Sequence, residues 1–145
     1  MTVLLQQWSS LSLSAARQLA DHLLLQAEQQ GVQVALAVVD RAGVPLVRIK
    51  MDLAPAPSQD IALRKATTAL AFGMATDGWD ARLQQASQGV RQGLPLQDGL
   101  ALFGGGVPLV VDQQPVGAVG VSGASEVQDT ALARQAATFL KQLLG

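Results

Sequence analysis

Two apolar runs separated by a short polar segment constrain the fold of this chain more than any other feature. The first run, 107–111, follows three consecutive glycines, and the second run, 116–123, has a glycine at every third position. The residues between them, 112–115, are polar and end in proline. Because β-branched residues favour strands and the polar segment favours a turn, the two runs predict a β-hairpin. The glycines indicate places where the backbone bends or where another group approaches closely.

The composition is that of one folded domain covering residues 1–145. A chain of 145 residues with 49% hydrophobic content is long enough to bury a single core. Its 10 basic and 11 acidic residues are scattered without runs, which disfavours nucleic acid or a membrane surface as a partner. No apolar segment is long enough to span a bilayer, and the N-terminus lacks the pattern of a signal peptide. We therefore expect a cytoplasmic protein.

The absence of cysteine narrows the chemistry that the chain can perform. It removes disulfides, thiolate nucleophiles and the usual zinc ligand sets, and a single histidine cannot form a zinc site. The segment 120–124 differs from a serine nucleophile elbow because Ala124 replaces the second glycine and the only histidine precedes Ser122. We therefore predict neither a metal site nor catalytic residues.

A first helix is predicted from the N-cap Ser12 to about Gln30, with Gly31 ending it. His22 and Leu25 lie away from the apolar face of this helix. Single exposed leucines are common, so Leu25 has a neutral interpretation. Beside the only histidine, it is also compatible with a subunit contact or with the edge of a ligand site.

Two strands and a second helix are predicted next. The apolar run 33–39 indicates a strand covered on both faces, and the alternating segment 44–51 returns beside it after a tight turn. Pro45 indicates that the second strand lies at an edge or bulge of the sheet. The second helix is predicted from a cap at Ser58 to about Ala75.

The remaining residues complete the order αββααβββα. They predict a third helix from Asp77 to Gly93, a short strand at 100–103 before the hairpin, and a last helix opened by a capping box of Ser125 and Gln128. Strands joined by short turns are antiparallel, and the chain has no regular alternation of strands and helices. We therefore expect an α+β fold in which helices flank a five-stranded antiparallel sheet.

Lys65 is the most informative single residue, because it projects from the middle of the apolar face of the second helix. Burying an unpaired ammonium group is costly, so three interpretations stay open. Lys65 reaches solvent at an edge, pairs with a carboxylate such as Asp40 or Asp52, or lines a cavity for an anionic ligand. Thr68 lies within reach of whatever Lys65 contacts.

A ligand site is predicted near the glycine-rich hairpin. Residues 104–106 do not form a phosphate loop, because no lysine follows and a strand rather than a helix comes next. Their backbone N–H groups can still bind an anion as a nest. The candidate ligand-binding residues are Lys65, Thr68, Gly104, Gly105, Gly106, Pro108, Ser122, Gly123, Asp52 and His22.

Five segments, in their order and spacing, resemble the GlcG/HbpS family, which includes the C-terminal domain of PduO-type proteins. They are residues 38–43, 51–52, 61–69, 105–108 and 117–123. The resemblance covers nearly the whole chain. It implies a profilin-like α+β fold with a five-stranded antiparallel sheet, and it implies homo-oligomers.

The resemblance also implies functions. Members of the family bind haem or are linked to corrinoid and diol-utilisation metabolism, and GlcG belongs with glycolate utilisation. Two hypotheses follow: a module that binds haem or another anionic or carboxylate ligand as an oligomeric accessory or sensory protein, and an accessory factor or enzyme of glycolate or diol metabolism. The scarcity of acid–base and nucleophilic groups favours the first hypothesis.

Overall fold

The computed structural model describes residues 2–145 as five helices, four strands and two short 3-10 turns. The helices are α1 (Leu13–Gln30), α2 (Ser58–Phe72), α3 (Trp79–Gln84), α4 (Gln88–Gly93) and α5 (Glu126–Leu144). The strands are β1 (Ala35–Asp40), β2 (Pro45–Lys50), β3 (Gly106–Val111) and β4 (Gln114–Ser122). The 3-10 turns are Thr76–Gly78 and Leu94–Leu96.

The four strands form one antiparallel sheet in the order β2-β1-β4-β3. The predicted glycine-rich hairpin is confirmed as β3 and β4, and its turn places Asp112 and Gln113 at φ values of 51° and 65°. Two successive residues at positive φ are typical of the tight turns that match strand twist. The edge position predicted from Pro45 is also confirmed, because β2 lies at one end of the sheet with a register shift opposite this proline.

The predicted antiparallel α+β class is confirmed, but the prediction of five strands is wrong. The segment 100–103 is irregular in the structure. The backbone N–H of Ala101 donates to the hydroxyl of Thr68 over 3.1 Å instead of joining a ladder. A side chain therefore satisfies the donor that strand pairing would have used.

Helices cover both faces of the sheet. Leu36 and Val38 of β1 point into the larger core, which α1 and α5 cover. Ala35, Ala37 and Val39 point to the opposite face, which α2 covers. Successive strand side chains point to opposite faces, so β1 is the strand covered on both faces that its apolar run predicted.

The predicted ends of α1 are confirmed, and those of α2 are not. The hydroxyl of Ser12 accepts a hydrogen bond from the N–H of Ala15, and Gly31 ends α1 at φ 70°. Helix α2 begins at Ser58 itself and has no side-chain cap, so the prediction of Ser58 as the N-cap is wrong. The helix stops before Ala75, because Gly73 adopts a left-handed conformation with φ 62°.

The predicted third helix is interrupted, and Asp77 does not cap it. Ser87 caps the separate helix α4 by accepting from the N–H of Val90, which divides the predicted segment in two. Asp77 instead accepts a hydrogen bond from the guanidinium of Arg134. The capping box of Ser125 and Gln128 at the start of α5 is confirmed.

The glycines of the hairpin let α2 lie directly on the sheet. A Cβ atom on Gly106 would lie 2.2 Å from the carbonyl oxygen of Lys65, and one on Gly120 would lie 2.0 Å from that of Ala62. Gly106 and Gly120 are also paired across β3 and β4. The close approach that these glycines predicted is therefore the backbone of α2.

Candidate functional site

Lys65 forms a buried ion pair with Asp129, a residue of the first turns of α5. The Lys65 Nζ donates to the Asp129 Oδ2 over 3.1 Å and to the carbonyl oxygen of Val121 over 2.8 Å. The two side chains are only 2% and 3% exposed. The Asp129 Oδ1 accepts from the N–H of Ala124 over 3.0 Å. The pair therefore links α2, the end of β4 and α5.

The interpretation of Lys65 as an ion-paired residue is thus confirmed, but Asp40 and Asp52 as its partners are wrong. The Asp40 Oδ1 accepts from the N–H groups of Ala42 and Val44 in the β1–β2 turn. Asp52 is exposed in the turn that follows β2. Since β2 and β3 lie at opposite edges of the sheet, Asp52 is far from the β3 edge where Lys65 is buried.

The loop before β3 closes over the ammonium group. The Lys65 Nζ lies 5.0 Å from the centroid of the Phe103 ring, which is a cation–π distance. Gly105 has φ 131°, and a Cβ atom there would lie 2.6 Å from the same Nζ. Gly105 is therefore the residue type that this position requires, both for its backbone conformation and for the space above Lys65.

Two opposing effects act on the charge of Lys65. Burial is the larger effect and lowers the pKa of Lys65, while the carboxylates of Asp129 and Glu126 act in the opposite direction. The Asp129 carboxylate therefore offsets part of the cost of burying the Lys65 ammonium group. Removing one partner would leave the other charge buried without compensation.

The backbone groups of the three glycines bond to the protein itself. The N–H of Gly104 donates to the Glu126 Oε1 over 2.8 Å, and that of Gly106 donates to the hydroxyl of Thr76 over 2.8 Å. The carbonyl oxygen of Gly105 accepts from the N–H of Val121. An anion bound by these glycines, as the sequence predicts, would have to displace Glu126 or Thr76, so their ligand role stays a prediction.

The structure brings some of the candidate residues together and separates others. Lys65 and the glycines form one cluster, and Thr68 lies one turn along α2, where it holds Ala101. Pro108 lies in β3 opposite Ala118. Their roles in ligand binding stay predictions.

Of the remaining candidates, Ser122 and Gly123 adjoin this cluster, and the other two lie apart from it. Ser122 and Gly123 lie between Val121, which accepts from Lys65, and Ala124, which donates to Asp129. Ser122 ends β4, and Gly123 follows it at φ 122°, close to the carbonyl oxygen of Gln33. Asp52 lies beyond the opposite edge of the sheet, and His22 lies on α1 in another layer. The candidate residues therefore do not converge on one ligand site.

A second site surrounds His22. Its imidazole ring stacks on the Phe139 ring, with centroids 4.0 Å apart and an interplanar angle of 8°. Stacking uses the faces of the imidazole and leaves its nitrogen-bearing edges for other partners. The rings lie in a groove of about 350 Å³, here called the α1–α5 groove, which is lined by His22, Gln26, Arg134, Gln135, Thr138, Phe139 and Gln142.

A neighbouring concavity of about 500 Å³, here called the Asp77 concavity, shares two residues with this groove. Its lining consists of Asp77, Glu126, Val127, Thr130, Ala131, Arg134 and Gln135. The Arg134 Nη2 donates to the Asp77 Oδ2 over 2.7 Å. The Thr130 Oγ1 and the Gln135 Oε1 are buried without a partner among residues 2–145. Buried polar groups normally have partners, so two polar atoms beneath this surface have unmet hydrogen-bonding capacity.

Two kinds of feature are missing from the described part of the chain. Within residues 2–145, no three histidine, aspartate or glutamate side chains are grouped so that they could hold a metal ion. Over the same residues, no helix is both long and apolar enough to cross a membrane.

Sequence reasoning missed four residues of these sites: Asp129, Phe103, Arg134 and Phe139. A signal was present for Asp129, because it precedes the buried residues Leu132, Ala133 and Ala136 by three, four and seven positions. That spacing places Asp129 on the apolar face of α5. No comparable signal pointed to Arg134, which is half exposed.

Comparison with known proteins identifies the family. A family model described as "Haem degrading protein HbpS-like" matches residues 11–138. The chain therefore belongs to the HbpS-like family, as the resemblance in the sequence predicted.

Three relatives are similar to this chain along most of its length. The crystal structure of Klebsiella pneumoniae ORFY is 34% identical with a TM-score of 0.89, and each chain is covered to 97%. A double mutant of Streptomyces reticuli HbpS is 36% identical with a TM-score of 0.85, covering 94% of this chain and 90% of the other. PduOC in complex with haem is 32% identical with a TM-score of 0.80, covering 89% and 94%.

The likeness to full-length PduO is partial. The corrinoid adenosyltransferase PduO of Citrobacter freundii is 32% identical over 127 residues, which are 88% of this chain but only 38% of PduO. The chain thus spans well under half the length of that relative.

Proposed function

We propose that this chain is a haem-binding module and that the α1–α5 groove is its haem site, with His22 as the ligand of the iron. The observation that carries the proposal is the position of His22, stacked on Phe139 in an open groove. Haem, when bound, would supply redox or sensing chemistry, and the protein would supply binding and orientation.

The composition of the chain supports His22 as the iron ligand. Haem iron in proteins is held by histidine, cysteine, methionine or tyrosine. The sequence has one histidine, no cysteine, no tyrosine and three methionines. The Met51 Sδ accepts from the N–H of Val34 within the core, and Met74 lies against Gly78 and the guanidinium of Arg82.

Two further residues of the groove suit the group. Phe139 contributes apolar surface beside the ring face that His22 covers, and Arg134 offers a cation to the carboxylates of haem. The other lining residues, Gln26, Gln135, Thr138 and Gln142, are polar. The likeness to PduOC in complex with haem supports the same ligand class. The match to a family described as haem degrading agrees with this ligand class.

We expect His22→Ala to abolish the Soret shift that wild-type protein produces with haemin in an absorption titration. The affinity should fall by at least about 100-fold, because even residues that only support a metal ligand are worth 10–100-fold. Gln29→Ala is the matched control, since Gln29 is an exposed residue of the same helix outside the groove. Added imidazole should restore the spectrum of the His22→Ala complex. Unchanged binding by this variant, with its fold intact, would contradict the proposal.

A second candidate function is an accessory role in corrinoid or diol metabolism, which the partial likeness to PduO favours. Because the chain matches only 38% of PduO, the adenosyltransferase activity itself does not carry over. The same titration distinguishes the candidates when cobalamin replaces haemin. A spectral change with cobalamin and none with haemin would favour the second.

We also propose that the chain forms a homo-oligomer through the α1 surface beside the groove. Leu25 lies one turn from His22 and is 51% exposed. We expect wild-type protein to scatter light as a multiple of its 15.1 kDa mass and Leu25→Glu to shift toward the monomer. Leu53→Glu, at an exposed leucine of the turn after β2, should leave the mass unchanged. A wild-type monomer would contradict the proposal, and an unchanged Leu25→Glu oligomer would exclude this contact.

A further inference from the structure

We infer that Arg134 anchors the propionate carboxylates of haem and that Asp77 competes for the same guanidinium in the absence of ligand. The inference rests on the haem function proposed above and deepens it. It assigns to the Asp77–Arg134 pair the role of a carboxylate exchange site beside the iron ligand.

Arg134 lines both the α1–α5 groove and the Asp77 concavity, so it lies where the two surfaces join. A haem held by His22 would have Arg134 in the lining of the same groove. The side chain is 56% exposed, so its guanidinium is accessible to a ligand.

The described linings of the two surfaces contain few charged residues. Apart from His22, Arg134 is the one basic residue in the described lining of either surface, and Asp77 and Glu126 are the acidic ones. No other described lining residue offers a permanent positive charge to a propionate. Glu126 already accepts a hydrogen bond from the N–H of Gly104, whereas Asp77 holds the guanidinium itself.

The Asp77–Arg134 ion pair is suited to exchange between carboxylates. A guanidinium presents a planar fork of N–H donors that matches a carboxylate, and its current partner is the Asp77 carboxylate. Replacing Asp77 by a propionate exchanges one carboxylate for another, and the released Asp77 carboxylate, which is 33% exposed, is then hydrated by solvent. The ion pair is partly exposed, so its disruption costs little.

Two buried polar atoms of residues near Arg134 have no hydrogen-bond partner among the described residues. Thr130 is only 6% exposed, and its Oγ1 has no partner among the described residues. The Gln135 Oε1 is buried without a partner as well, and both residues line the Asp77 concavity.

The test compares haemin with haemin dimethyl ester, which lacks the free carboxylates, in absorption titrations under one cosolvent condition. We expect Arg134→Gln to weaken haemin binding by about two- to fivefold, the range of an exposed ion pair, and to change ester binding little. We expect Asp77→Asn to strengthen haemin binding by about two- to fivefold, the range of an exposed ion pair. Arg64→Gln, at an exposed arginine of α2 outside both surfaces, is the matched control and should behave as wild type.

The outcomes separate this inference from the proposed function. Equal weakening of haemin and ester by Arg134→Gln, no weakening at all, or a loss of haemin affinity in Asp77→Asn would overturn the exchange site. In each of these cases the proposed haem function still holds if wild-type protein binds haemin and His22→Ala does not. If wild-type protein binds neither porphyrin, the haem function itself is overturned.

Discussion

Replacing Lys65 with methionine should lower the free energy of unfolding by about 3–5 kcal/mol, the usual cost of removing one partner of a buried ion pair. Methionine keeps most of the apolar stem of the side chain but leaves the Asp129 carboxylate without its ammonium partner at 3% exposure. The carbonyl oxygen of Val121 loses a hydrogen bond as well. Urea denaturation of wild type and variant, followed by circular dichroism, measures the difference.

The double variant Lys65→Met/Asp129→Asn is the control for this prediction. An amide at position 129 is uncharged and can still accept from the N–H of Ala124. We therefore expect the double variant to recover most of the stability lost in Lys65→Met, which a double-mutant cycle expresses as a coupling energy. A loss below about 1 kcal/mol in the single variant would show that Asp129 does not depend on Lys65.

Gly120→Ala should destabilise the protein by about 3 kcal/mol or more, at or above the upper end of typical overpacking costs. The added Cβ would lie 2.0 Å from the Ala62 carbonyl oxygen and 2.7 Å from the Ala66 nitrogen. Both atoms belong to the backbone of α2, so no side-chain rotation relieves the clash. The helix has to move away from the sheet, which a thermal melt detects.

Gly89→Ala is the matched control, since Gly89 lies in α4 and a Cβ there would meet nothing within 4 Å. Alanine has a higher helix propensity than glycine, so this variant should be unchanged or more stable by up to about 1 kcal/mol. Equal melting temperatures for the two variants would show that α2 does not need a glycine at 120.

The helix caps predicted at Ser58 and Asp77 were wrong, but other parts of the fold could be predicted from local sequence patterns. The glycine-rich hairpin, the helix ends at Ser12 and Gly31 and the capping box at Ser125 were of this kind. The false strand at 100–103 was not, because the donor of Ala101 is satisfied by Thr68 of α2. A side chain 33 positions away decides that segment.

The candidate site was predictable in part. The helical wheel placed Lys65 correctly in the core, but its partner lies 64 positions along the chain. Applied to α5, the same wheel places Asp129 on the apolar face. Two opposite charges on the buried faces of two helices predict an ion pair. By contrast, the groove around His22 forms only when α1 and α5 pack together, so neither helix alone could indicate it.

Nuclear magnetic resonance of the ¹⁵N-labelled protein tests the haem site most directly. Paramagnetic ferric haemin broadens the amide signals of nearby residues, and diamagnetic zinc protoporphyrin serves as the control. We expect selective broadening around His22 in α1 and Phe139 in α5, while the signals of residues 104–106 keep their intensity. Broadening of residues 104–106 with unchanged signals around His22 would contradict the account and place the ligand at the glycine-rich hairpin.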